Sequence, residues 1–296
     1  MTKCFIFSIS IVCILFSVFA IISPTSAEAG KKAILVVSFG TSYADTREIT
    51  IEACEKAIKE AFPEYETRRA FTSNIIINIL KERDNILVDT PQEAVEKLQA
   101  EGFTEVIAQP LHVIPGEEFH DVVTMVKQYE SAFETIRLGM PLLATTDDYM
   151  AAVDAIAAQL PDMRDNEAVV FMGHGTHHPA NAIYPALERV FEDKGFGQVF
   201  VGTVEGYPEL DHVIQRLRLH EIGKVTLMPF MLVAGDHAQN DMAGDEEDSW
   251  KMQLKKEGFL VETYLHGLGE NAEIQKIYVQ HVQNAIAGEQ EGGHGH

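Results

Sequence analysis

The chain has 296 residues, 46% hydrophobic and 23% charged, with a formal net charge of −22. That acidic balance makes nucleic acid and anionic membrane surfaces poor partners, while attracting a divalent cation. Of three cysteines, Cys4 and Cys13 sit in the first apolar run and Cys54 stands alone, so an internal disulfide and a thiolate metal site are both excluded.

Residues 1–27 carry Lys3, the apolar run CFIFSISIVCILFSVFAII, then Pro24 and small residues. This is the n-region, h-region and small-residue end of a secretory signal peptide, with cleavage expected after Ala27 or close to Ala29. The run approaches the ~20 residues that span a bilayer, so an uncleaved anchor is the rival reading. Pro24 and the small residues that end the run favour cleavage. The mature part is expected in the periplasm, without stable membrane insertion.

Strand and helix patterns then alternate. KAILVVSFG reads as a strand and ADTREITIEACEKAIKEAF as a helix. TRRAFTS is a short strand and PQEAVEKLQAEG a helix. TEVIAQPL is a strand, EEFHDVVTMVKQYE a helix, FETIRLGM a strand and DDYMAAVDAIAAQL a helix. Such β/α alternation predicts parallel sheets flanked by helices. The pattern restarts after residue 163. AVVFMGHGT is similar to LVVSFGTS, VTLMPFMLVAGDHAQND to VIAQPLHVIPGEEFHD, and VETYLHGLG to FETIRLGMP. The expected architecture is α/β, with two similar halves over 28–163 and 164–290 and a cleft between them. A His-bearing tail follows over 291–296.

Ligands of open α/β sheets bind at the carboxyl ends of the strands. In the second half these ends offer His174, Glu205, His237 and, less favourably placed, His266. The first half offers Ser38 and Thr41, then Ser73, then Glu117 with His120, then Gly139. Two imidazoles and a carboxylate suit a borderline divalent ion such as Co²⁺, Ni²⁺, Fe²⁺ or Zn²⁺, so the second half is expected to be the reactive one. His177 and His178 sit where the next helix begins and are expected to line the cleft or bond to the helix end.

At these residues a family resemblance emerges. SFGTSYADT, RAFTS, VFMGHG, VEGYP, MPFMLVAGDHAQNDMA, DSWKM and GLGEN together resemble the anaerobic cobalt chelatase (CbiK) family of the class II chelatase superfamily. The resemblance runs from about Lys31 to Ala287, and its longest motif is its most specific. It implies a tetrapyrrole held between the two halves and insertion of Co²⁺ into sirohydrochlorin, without a nucleotide, in the anaerobic cobalamin route. It implies His174, Glu205 and His237 as metal ligands, with His174 and Glu205 also taking protons. Ser38, Thr41, Gly173 and Gly175 are the expected substrate-binding residues, the two glycines also letting the backbone turn tightly and the flat macrocycle approach. A neutral imidazole can bind a cation and accept protons, whereas a Lys in that turn would repel the ion. Arg68, Arg69 and Lys251 are candidates to offset the substrate carboxylates.

An export signal departs from the cytoplasmic setting expected of the family. Alternative readings are therefore an exported iron chelatase using Fe²⁺, or a metal- or haem-binding protein that keeps the fold. The second would use His112, His294, His296, and His120 as an axial haem ligand. A homo-oligomer is compatible with any of these readings. N-terminal sequencing of the protein recovered from a periplasmic fraction is expected to begin near Glu28. An intact Met1 on soluble cytoplasmic protein would refute export.

Overall fold

The computed structural model describes residues 30–289 together with Met1. The expected signal peptide and His-bearing tail lie outside the described residues. The first half contains β1 (Lys31–Ser38), α1 (Ala44–Ile49), α2 (Ile51–Ala61), β2 (Glu66–Phe71), α3 (Asn74–Asp84), α4 (Pro91–Ala100), β3 (Phe103–Pro110), α5 (Glu117–Gln128), β4 (Thr135–Leu138) and α6 (Thr146–Ala157). The second contains β5 (Glu167–Gly175), α7 (Ile183–Asp193), β6 (Val199–Glu205), α8 (Leu210–Leu219), β7 (Lys224–Phe230), α9 (Trp250–Lys256), β8 (Leu260–Thr263) and α10 (Ala272–Ala287).

The unbroken apolar strands follow from burial on both faces, as parallel sheets require. In β1, Ile34 and Val36 pack to one side while Ala33, Leu35 and Val37 pack to the other. In β5, Val169 and Phe171 share the inner cluster with β1, and Ala168, Val170 and Met172 face outward into a separate one. One core therefore runs continuously between the two sheets. Their strand orders are β2-β1-β3-β4 and β6-β5-β7-β8, parallel throughout. The same unit is built twice, with the cleft between the copies.

Two local features differ from the sequence reading. The helix expected from ADTREITIEACEKAIKEAF breaks at Thr50, whose side chain donates to Thr46 O at 2.5 Å. Thr50 also packs against the backbone of Gly269, where an added Cβ would lie 2.9 Å from it. Helix α3, by contrast, was not anticipated. Ser73 caps it by accepting from Ile76 N at 3.3 Å. Among the described residues, no helix is long and apolar enough to cross a membrane.

The last helix ties the halves together. From α10, Tyr278 donates to Leu111 O at 3.0 Å, and the Ala285 and Ile286 carbonyls accept from Arg137. Buried His281 places Nδ1 3.0 Å from Met140 O and Nε2 3.0 Å from Asp148 Oδ1. A carbonyl only accepts, so Nδ1 carries a proton. Asp148 also caps α6, accepting from Thr145 N at 2.8 Å. Burial pushes the Asp148 carboxyl up, but the His281 hydrogen bond and charge, aided by Thr145, outweigh it and hold the group below its usual range.

A depressed carboxylate stabilises the fold fully above its unfolded pKa, near ~4, and ceases to do so as pH falls through the folded value. Asp148→Ala is expected to cost about 3–5 kcal/mol at neutral pH, the usual penalty for breaking a buried pair. Urea midpoints measured against pH should show a steeper acid loss in the wild type than in the variant. Parallel curves would show that the pair contributes no acid-sensitive stability.

Candidate active site

The carboxyl ends of both sheets open onto one cleft of about 720 Å³. Its first-half wall includes Phe39, Thr41 and the α3 residues Ile75, Ile76 and Ile79; its second-half wall includes His174 and His237. Ile75 and Phe39 are 72% and 48% exposed. Large apolar side chains left open at a cleft suit a flat apolar ligand face.

His174 is set by the glycines beside it. Gly173 is buried beneath the Tyr184 ring, where a Cβ would lie 2.2 Å from a ring carbon. Gly175 has φ +81°, and a Cβ there would lie 1.6 Å from Glu205 O. Only glycine fits such a turn. Tyr184 Oη accepts from Gly175 N at 3.2 Å. Burial pushes this phenol up to about 12, against the opposing pull of the Gly175 and His174 amides, so it remains neutral. The strand end is thereby fixed, with the His174 side chain projecting into the cleft. Beyond it, Thr176 N donates to Asn181 Oδ1 at 3.1 Å, and Asn181 donates to Tyr207 O at 2.5 Å.

His237 begins a π-helical turn over Ala238–Met242. Such turns recur at functional sites because they re-aim side chains. The His237 and His174 ring centroids are 4.9 Å apart with planes at 86°. Asp241 Oδ2 lies 2.5 Å from His237 Nδ1, and Gly175 O lies 2.9 Å from His174 Nδ1. Both acceptors call for a hydrogen on Nδ1. Each Nε2 then keeps a lone pair for a cation, the usual division of labour in a ligating histidine.

Of the expected ligands, the structure brings together the two imidazoles. Glu205 stands at the end of β6, paired with Gly175 across the sheet, and lines the same cleft. Its exposed carboxylate forms no hydrogen bond or ion pair among the described residues. No group of three His, Cys, Asp or Glu side chains is gathered as a ready metal cage among those residues. Thr41 lines the cleft, its Oγ1 accepting from Tyr43 N at 3.2 Å. Ser38 is buried behind the wall, with no hydrogen-bond partner for its hydroxyl among the described residues.

His120 packs against His178, ring centroids 4.9 Å apart, with Nδ1 2.9 Å from Gly116 O. His178 accepts from Ala180 N at the start of a short helix, and His177 is exposed. His266 lies against Tyr264, with Nδ1 2.6 Å from Glu270 Oε2. Gly139 packs on the Gln109 side chain. Arg68 pairs with Glu66 and Glu101, Arg69 with Glu52 and Glu55, and Lys251 with Asp245. None of these three cations lines the cleft. Sequence reasoning missed Asp241 and Tyr184, the two residues that orient the histidines. The His-x-x-x-Asp spacing of HAQND was the available signal for the first.

Paired parallel sheets sharing a cleft, with an imidazole pair on one wall, define a two-lobed metal chelatase. Solved structures agree on this fold. SirB from Bacillus subtilis with Fe³⁺ superposes with a TM-score of 0.61 at 16% identity, covering 88% of this chain and 98% of that one. CbiX, described as the terminal enzyme for biosynthesis of siroheme in denitrifying bacteria, gives 0.53 at 14% identity, covering 86% and 99%. The family model for cobalt chelatase (CbiK) matches residues 32–287. The sirohydrochlorin cobaltochelatase of Salmonella typhimurium is 46% identical over 256 residues, which are 86% of this chain and 97% of that protein. The sirohydrochlorin cobaltochelatase CbiKC of Nitratidesulfovibrio vulgaris is 36% identical over 264 residues, 87% of this chain and 91% of that protein. The chain belongs to the cobalt chelatase (CbiK) family.

Asp241→Asn tests the orientation of His237. Loss of such a partner weakens metal affinity by about 10–100-fold. Calorimetric titration with Co²⁺ is expected to show a weakening in that range, with the unfolding midpoint little changed. Unaltered affinity would mean that Asp241 does not orient the ligand.

Proposed function

We propose that this chain is an ATP-independent sirohydrochlorin cobaltochelatase, inserting Co²⁺ into the tetrapyrrole with release of two protons. The observation that carries this reading is the His174–His237 pair, with both Nδ1 atoms committed and the rings together on the wall of a two-sided cleft. A metal to be delivered must be stripped of water, held and then released. Two neutral nitrogens supply a grip that four pyrrole nitrogens can displace. The acidic Glu205 on the adjacent strand end attracts the ion, shares it and helps remove protons. His174 combines metal capture with proton acceptance as pyrrole nitrogens become ligands.

The substrate metal in this reading is Co²⁺, with the tetrapyrrole between the apolar α3 wall and the histidine wall. Export to the periplasm is part of the proposal and rests on the Lys3–Ala27 pattern. It places insertion outside the cytoplasm and directs attention to where the tetrapyrrole is delivered.

Purified mature protein, sirohydrochlorin and Co²⁺ or Fe²⁺ in parallel provide the test, followed by absorbance. Cobalt-sirohydrochlorin is expected. His174→Ala or His237→Ala should reduce turnover by roughly 10²–10⁴-fold, the scale of a lost general base, while His120→Ala leaves it largely unchanged. Binding of both substrates without product would sink the enzyme reading in favour of a carrier. Equal losses in the His120 and His174 variants would refute the assignment of the reactive half.

A further inference from the structure

The two walls of the cleft come from one duplicated unit and can be compared position by position. Val37 pairs with Pro110 in the first sheet as Met172 pairs with Pro229 in the second. Continuing each strand matches Phe39 with His174 and Gly40 with Gly175; both glycines have positive φ, +95° and +81°. Continuing from the two prolines matches Gly116 with Gly235 and Glu118 with His237. The first half thus presents an aromatic ring and a carboxylate where the second presents its two imidazoles.

One imidazole on that first-half wall has no assigned task. His112 follows β3 and lines the cleft, with its side chain only 9% exposed. Neither ring nitrogen has a hydrogen-bond partner among the described residues. Glu118 Oε2 stands 3.3 Å from Nε2, near enough for an ion pair but outside hydrogen-bond geometry. The backbone is held firmly: His112 O accepts from Leu142 N at 2.9 Å. A buried imidazole without a hydrogen bond loses hydration that some contact must replace. The structure therefore holds His112 ready for a group that enters the cleft.

We propose that His112 accepts a pyrrole proton on the macrocycle face opposite the metal-bearing histidines, a role that rests on the chelatase reading above. Co²⁺ approaching from the His174–His237 wall bonds to the pyrrole nitrogens and repels the remaining N–H protons toward the other wall. There a pyrrole N–H bond breaks and an N–H bond forms on His112. The electron pair left on the pyrrole nitrogen enters the metal–nitrogen bond. Glu118, whose side chain is 43% exposed, stabilises the imidazolium and passes its proton to solvent. The other proton leaves on the metal side. The Glu118 carboxylate beside the ring makes the same pocket unsuitable for a substrate carboxylate.

The test measures steady-state insertion of Co²⁺ into sirohydrochlorin by wild type and His112→Ala, with and without added imidazole. Tetrapyrrole affinity is read separately by fluorescence quenching, and folding by the thermal midpoint. Turnover should fall by roughly 10²–10⁴-fold with tetrapyrrole affinity retained, and imidazole should restore part of it. Unchanged turnover would overturn the proposal. So would a loss that imidazole cannot rescue, or a raised KM for Co²⁺ at unchanged kcat, which would make His112 a metal ligand. A wild type that inserts no Co²⁺ would overturn the chelatase reading itself, and this role with it. An active wild type with any of the other adverse results overturns this role alone.

Discussion

The separation between the two sheets is the constraint on which the site depends. A planar macrocycle needs facing walls at a fixed distance, and neither half supplies both. Helix α10 sets the spacing by leaving the second half and packing on the first. Its anchors are buried: Tyr278 on Leu111, and His281 between Met140 and Asp148. Because the inner core is shared by β1 and β5, slippage of one sheet against the other would disrupt packed side chains as well as these polar ties. Leu111 adjoins His112, so the same helix that holds the halves together also steadies a strand end at the cleft.

Duplication explains the architecture, and divergence explains the chemistry. Both halves keep the strand order, the register around Pro110 and Pro229, and the positive-φ glycine after the first strand. At corresponding positions the side chains differ. The second half places imidazoles there, while the first places Phe39 and Glu118. A symmetric pair of histidine walls would hold a cation from both sides and obstruct the macrocycle. With imidazoles on one wall and Phe39 and the α3 isoleucines on the other, the proposed metal and ring can occupy the cleft in layers.

The fold was legible because fully buried parallel strands leave continuous apolar runs that few other structures need. The repeat was legible because GHGT and SFGT, or AGDH and PGEE, occupy equivalent corners. Helix α3 escaped notice for a physical reason. Its isoleucines serve two faces, Leu80 turning into the core while Ile75 and Ile79 line the cleft, so no single amphipathic stripe marks it. His174 and His237 could be selected from strand ends alone, but their pairing depends on distances across the sheet. Likewise Gly173 was read as clearance for the macrocycle, and the structure places it beneath Tyr184. Its role in the site is to bring that ring under the strand end.

The charge of the cleft bears on how two very different substrates share it. Among the described residues, its lining carries Glu117, Glu118, Glu205 and Asp236 but no Lys or Arg. Two arginines hold the backbone of lining residues without lining the cleft themselves: Arg47 donates to Thr41 O at 3.4 Å, and Arg83 to Ser42 O. A free divalent ion is therefore drawn in, whereas the carboxylates of a sirohydrochlorin are favoured at the wet rim, where water screens them. In the proposed function, a divalent ion on the imidazole pair adds two positive charges to the wall and lowers the cost of bringing in the polyanionic ring. Metal before macrocycle is the binding order these electrostatics favour, and insertion then returns the wall to its acidic state, which weakens the hold on a product still bearing its carboxylates.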